Sequence, residues 1–280
     1  LSTVAVRLLN YLLAPLHTNV FVNQADYGVI SEMYAYVTFL NVIFMYGMET
    51  AFFRFASHSD QPGKVFSTAF TSLLLSTTGL VTLLVIFSQP IANALAYPDN
   101  SNFVMWFALI IGLDTLVNIP FAKLRLENKP IKYALIKLVN VSINIGLNFF
   151  FLLPALKGEA NYDMFESLGF VYNPDVGVGY VFIANLAASA ITFLLFLPQI
   201  VKLDFGIDKV LWKKLMTYGS PLIIVGLAGM VNETIDRVLL KYLLPGTHEE
   251  NLAQLGIYGA CYKLSIFMTI VIQAFRMGAE

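Results

Sequence analysis

The 280-residue chain reads as an all-α integral membrane protein with two parallel-repeat helix bundles, of which it holds the first six-helix lobe and two helices of the second. Three observations lead there. Apolar residues make up 58% of the chain and charged residues 12%, whereas a soluble domain carries about 25% charged residues. The apolar runs have helical length and lack the alternation of barrel strands, and a helix satisfies its own backbone groups in lipid. Finally, Arg7-Leu8-Leu9-Asn10-Tyr11-Leu12-Leu13-Ala14-Pro15 reads against Arg237-Val238-Leu239-Leu240-Lys241-Tyr242-Leu243-Leu244-Pro245, 230 residues later.

The apolar segments cover about 1–17, 27–54, 65–96, 102–122, 132–154, 177–200, 215–244 and 254–277. Crossing the hydrocarbon core takes about 20 residues. The first segment is short and begins without Met, so Leu1 is expected mid-helix in a chain truncated at both ends. With no basic leader and no small-residue cleavage pattern, it does not read as a signal peptide. The second and third segments exceed the minimum and are expected to tilt or extend past the membrane. The stretch 155–176, with Pro154, Gly158, Gly169 and Pro174 in and around it, reads as a surface loop. Gly177-Val178-Gly179 lacks the strand context of a dinucleotide site and reads as a helix start.

Charge placement orients the spans. Arg54, Lys64, Lys123, Arg125, Lys129, Lys132, Lys137, Lys202, Lys209, Lys213 and Lys214 fall on one set of alternate loops and helix ends, and only Lys157 and Lys241 on the other. The positive-inside rule makes the basic set cytoplasmic, which puts the N-terminus there as well. Asp26, Asp99, Glu159, Asp163, Glu166, Asp175, Glu249 and Glu250 lie on the opposite side. The first and seventh helices then both run outward, so the two repeat copies are parallel, related by an axis along the membrane normal. The repeat offset measures one lobe: 1–205 forms the N-terminal six-helix lobe and 206–280 the first two helices of the C-terminal lobe.

Soluble-enzyme signals are missing: there is no GxxxxGK[ST], HExxH or GxSxG. A single cysteine, Cys261, excludes an internal disulfide and a cysteine metal cluster. His17, His58 and His248 fall in loops or at helix ends, so a buried histidine is not expected. Intramembrane polar groups remain, each central charge costing roughly 2.5–3.5 kcal/mol, so they pair or face a wet cavity. Arg7 lies mid-depth in the first span, Glu32 and Glu49 in the second, and Asp114 with Asn118 in the fourth. Glu233, Asp236 and Arg237 follow in the seventh and Lys263 in the eighth. Glu233 and Arg237, at i,i+4, either neutralise each other or line a cavity. Glu32 lies nearer the outer interface, where solvent suffices, and Arg54 reads as a cytoplasmic anchor. Asn140, Asn144 and Asn148 put three amides on one helix face over about 12 Å of rise. They are either interhelical glue or a lining for a polar cargo such as a sugar.

Ala25-Asp26-Tyr27-Gly28 and Tyr46-Gly47-Met48-Glu49-Thr50-Ala51-Phe52-Phe53-Arg54-Phe55 resemble the Wzx-type polysaccharide biosynthesis flippases, whose superfamily includes multidrug exporters. Lys213-Lys214-Leu215-Met216-Thr217-Tyr218-Gly219-Ser220-Pro221-Leu222 resembles the entry to that family's seventh helix, and Gly256-Ile257-Tyr258-Gly259-Ala260-Cys261-Tyr262-Lys263 the opening of its eighth. The resemblance implies a transporter, not an enzyme, in the bacterial cytoplasmic (inner) membrane. It would flip polyprenyl-pyrophosphate-linked oligosaccharide by alternating access for O-antigen (lipopolysaccharide), capsule or exopolysaccharide synthesis. Arg7, Arg237 and Lys263 become candidates for the phosphates and Asn140, Asn144 and Asn148 for the sugars. Asp114, Glu233, Asp236 and Glu49 become candidates for coupling to H⁺ or Na⁺, with no other cofactor and no metal. The implied partners are the lipid-linked oligosaccharide, membrane lipids and other polysaccharide-assembly membrane proteins, with no nucleic acid. The alternatives are a cation-coupled multidrug exporter, which the two matched arginines disfavour, and a membrane-embedded polymerase or glycosyltransferase, which leaves the repeat unexplained.

Overall fold

The computed structural model describes residues 13–157 and 176–265, with Leu9, Tyr11, Asn173 and Met268 besides. These form ten helices: α1 (Leu13–Val20), α2 (Gln24–Met45), α3 (Met48–Ser57), α4 (Pro62–Ile86), α5 (Ser88–Ala94), α6 (Ser101–Leu126), α7 (Pro130–Lys157), α8 (Gly179–Ile200), α9 (Lys209–Leu243) and α10 (His248–Leu264). No strand occurs among the described residues. Helices α2, α4, α6, α7, α8 and α9 are long and apolar enough to cross a membrane. The chain is a multi-pass, all-α membrane protein. Arg7 and most of the 155–176 connection lie outside the described residues.

Both over-long apolar segments are broken rather than merely tilted. The second ends α2 at Met45 and restarts as α3, because Tyr46 (φ 34°) and Gly47 (φ 73°) turn the backbone left-handed. Gly47 suits that turn twice over. It tolerates positive φ, and a Cβ there would sit 2.3 Å from the Gly219 carbonyl oxygen. The third segment breaks at Phe87 between α4 and α5. Pro90 has no N–H to continue an unbroken ladder through that point.

Helix starts also move outward from the apolar runs, because capping chemistry extends them. Asp208 Oδ1 accepts from the Val210 and Leu211 amides at 2.9 and 3.0 Å, so α9 begins at Lys209. Thr247 and Glu250 form a reciprocal capping box that starts α10 at His248. Pro62 and Pro130 are the first residues of α4 and α7, where the missing N–H costs nothing.

The chain groups into two compact units, Leu1–Ala35, Val141–Ala184, Thr234–Glu280 and Tyr36–Asn140, Asn185–Glu233. In the first, α2 and α10 meet backbone to backbone. A Cβ on Gly28 would lie 2.0 Å from the Leu252 carbonyl oxygen, and one on Gly256 2.1 Å from that of Gln24. Small residues allow such an approach, which matters in lipid, where apolar burial gives helices little reason to associate. In the second unit, Phe52, Phe66, Phe70, Leu73, Ile119, Phe121 and Phe196 form a buried core. Phe121 and Phe196 meet edge to face with centroids 4.8 Å apart. Leu75, Leu83, Ile86 and Ile224 stay exposed, as lipid-facing side chains do.

Gly256→Ala should destabilise the protein by about 1–3 kcal/mol, the usual range for overpacking. Gly79→Ala, with nothing within 4 Å of the new methyl, should cause no loss. Thermal unfolding of the detergent-solubilised variants separates the two.

Candidate functional site

Within the second unit, four membrane-spanning helices turn polar side chains toward one cavity of ≈ 330 Å³. Helix α6 supplies Asp114, Asn118 and Phe121; α7 supplies Lys137 and Asn140; α8 supplies Asn185, Ser189 and Thr192; α2 supplies Asn41 and Met45. On each helix these positions are three or four residues apart, the spacing that stacks side chains on one face. Inside hydrocarbon such a face has to be turned inward.

The lining is internally bonded. Asn140 Nδ2 donates to Thr192 Oγ1 at 2.9 Å, and that hydroxyl donates to the Ala188 carbonyl at 2.8 Å. Ser189 hydrogen-bonds Asp114, and Lys137 is near enough to Asp114 for the two charges to attract. The Lys137 ammonium also lies 4.3 Å from the centroid of the Phe121 ring. Carboxamides both donate and accept, so Asn41, Asn118, Asn140 and Asn185 can match the hydroxyls of a sugar. One lysine and one aspartate keep the cavity close to neutral. Of the expected residues, Asp114 and Asn140 lie here.

The first unit holds a different chemistry. Lys241 Nζ donates to Glu32 Oε1 at 2.6 Å, with side chains 1% and 0% exposed. One sequence expectation is thereby corrected: Glu32 is not held by outer solvent. Lys241 lies in the last turn of α9, at a helix end as expected, and is buried there. Their helices cross where only mutual neutralisation makes burial affordable. Asn251 Nδ2 then bonds the Lys241 and Leu244 carbonyls at 3.0 Å, closing the end of α9.

In the same unit the Arg237 guanidinium lies 4.3 Å from the Tyr262 ring centroid, and the Lys263 ammonium 5.3 Å from that of Tyr27. The two cations are close enough to repel each other. Glu233 is exposed, so Arg237 is satisfied by an aromatic face rather than by the carboxylate one turn back. Asp236 accepts from the Tyr258 hydroxyl and from the Arg237 amide.

The asparagine stripe divides. Asn148, fully buried, donates to the Asn144 carbonyl at 2.8 Å and to Asn144 Oδ1 at 3.0 Å. Its own Oδ1 meets His17 Nε2 at 2.8 Å. His17 lies in the last turn of α1, a helix end as expected, yet it is buried, contrary to expectation, because it faces Asn148 of α7. Asn148 joins α7 to α1 and Asn144 supports it from one turn back, while Asn140 belongs to the cavity. Glu49 is paired with Arg125 at a partly exposed position; it is not a buried carboxylate.

Sequence reasoning missed Asn41, Asn185, Ser189 and Thr192 and counted Lys137 only among the cytoplasmic charges, whereas it lines the cavity. Asn185, Ser189 and Thr192, spaced four and three apart in an otherwise apolar span, were a readable signal. The Glu32–Lys241 pair, 209 residues apart, left none. Lys241→Met should cost about 3–5 kcal/mol by stranding a buried carboxylate. Adding Glu32→Gln should recover most of that loss, as read from thermal midpoints and yields of inserted protein.

No curated protein and no solved structure matches the chain. Residues 1–279 match the family model described as polysaccharide biosynthesis protein. With that match spanning nearly its whole length, the chain belongs to the polysaccharide biosynthesis protein family.

Proposed function

We propose that the chain is part of the membrane-spanning body of a Wzx-type transporter that flips polyprenyl-pyrophosphate-linked oligosaccharide across the bacterial cytoplasmic membrane. The observation that carries this reading is the amide- and hydroxyl-lined cavity among apolar helices. Sugars cannot cross hydrocarbon unaided, because each hydroxyl would give up its hydrogen bonds to water. A lining of four carboxamides and two hydroxyls replaces those bonds. The polyprenyl tail needs no such path and stays in lipid.

The diphosphate needs fixed positive charge. Arg237 and Lys263 supply two cations held against aromatic rings, and Arg7 occupies the matching repeat position. Charge-assisted bonds to phosphate are the stronger kind. Two adjacent cations also weigh against an exporter of organic cations. In this reading the protein catalyses no bond change. Residues 1–205 form one lobe and 206–280 open the next, and access alternates as the lobes rock. Asp114 is the carboxylate best placed to carry the coupling H⁺ or Na⁺.

In cells assembling a surface polysaccharide, Arg7→Ala and Arg237→Ala should each reduce outer-leaflet lipid-linked oligosaccharide by at least about tenfold, the factor for a loss of 1.4 kcal/mol. Membrane insertion should be unaffected. Wild-type product levels in both variants would remove the phosphate clamp.

A further inference from the structure

The first turns of α9 carry an unusual combination. Lys209, Lys213 and Thr217 form one ridge at i, i+4, i+8, and Val210, Lys214 and Tyr218 form the adjacent one. Together with Phe55 of α3 these residues line a groove of ≈ 640 Å³. Its floor is apolar: the Phe55 and Tyr218 rings meet edge to face at 6.0 Å, and Val210 is 69% exposed. Its rim is cationic. The three lysines are exposed, and the Arg54 guanidinium lies 4.4 Å from the Tyr218 ring centroid.

Nearby carboxylates do not cancel this charge. Asp208 takes Lys64 as its partner at 2.8 Å. The Lys64 hydrogen bond, with the Leu211 and Val210 amides, holds its carboxyl down at about 2. Asp60 lines a neighbouring cleft with Lys64 and Asp208, which shares Val210 and Lys214 with the groove. Among the described residues no carboxylate lines the groove itself.

A purely solvated charge cluster does not need an aromatic floor, and an apolar protein-docking patch is not usually ringed by four cations. An anionic head attached to hydrocarbon fits both parts. The position fits as well, since α9 enters its apolar stretch here, at the basic end of the chain's spans. Basic pockets beside membrane helices on the positive side are a recognised way of holding anionic lipid heads.

We propose that this groove binds an anionic phospholipid of the leaflet on the basic side. The phosphate sits among Lys209, Lys213, Lys214 and Arg54, with an acyl chain along Phe55, Val210 and Tyr218. Such a lipid would brace the start of α9 against α3, independently of what the protein transports.

The test titrates cardiolipin, or phosphatidylcholine as control, into delipidated full-length protein in detergent and reads bound lipid by native mass spectrometry. Cardiolipin should be retained and phosphatidylcholine should not. The triple variant Lys209→Gln, Lys213→Gln, Lys214→Gln should weaken cardiolipin retention at least tenfold, and raised salt should do the same to the wild type. Val210→Asp, which leaves every cation in place, should also weaken it by putting a charge on the apolar floor. Wild-type retention in both variants overturns the proposal. So does preferential retention of a polyprenyl diphosphate over cardiolipin that the triple variant abolishes, since the groove would then be a port for the transported lipid.

Discussion

Charge and polarity are costly inside hydrocarbon, and that cost organises this chain. A lone ionised side chain at mid-membrane opposes insertion by roughly 2.5–3.5 kcal/mol. The chain nonetheless buries Glu32 and Lys241, and it holds Asp114 and Lys137 among spanning helices. Each is tolerated because another helix answers it: carboxylate to ammonium in one unit, aspartate to serine and lysine in the other. Arg237 and Lys263 use aromatic faces to the same end. The polar groups therefore dictate which helix faces point inward, and the apolar remainder follows.

Backbone geometry makes those meetings possible. Gly28 and Gly256 let α2 and α10 approach to backbone contact, and Gly47 with Gly219 does so between the end of α2 and α9. Tyr46 adds a polar tie at that break, its hydroxyl 2.9 Å from Ser72 Oγ. Trp212 Nε1 donates to the same Ser72 oxygen at 2.9 Å, which pins the start of α9. The break between α2 and α3 thus sits where packing, hydrogen bonding and positive φ coincide. It is a structural joint rather than a failure of helix propensity.

Much of this was legible in the sequence, and what was not has a physical reason. Composition and apolar run length predicted helices and spans, because in lipid the backbone has few alternatives. Asp114 and Asn140 stood out as polar residues in apolar surroundings, and both line the cavity. Helix ends were misplaced where capping decided them, as at Asp208 and Thr247, since caps lie outside the apolar period. The divided roles of Asn140, Asn144 and Asn148 were also hidden. A four-residue period fixes a helix face but not which neighbour that face meets at each depth. Glu32 and Lys241 each stood out in sequence, but nothing there linked them across 209 residues.

The most direct test of the cavity's role is to place a photo-crosslinking amino acid at Asn185, inside it, and at Leu83, exposed to lipid. Each variant is then irradiated in membranes containing radiolabelled lipid-linked oligosaccharide. The account predicts a crosslink to the sugar-bearing portion from position 185 and none to sugar from position 83. Sugar capture at position 83 with none at 185 would contradict it, because the polar cargo would then be travelling outside the cavity.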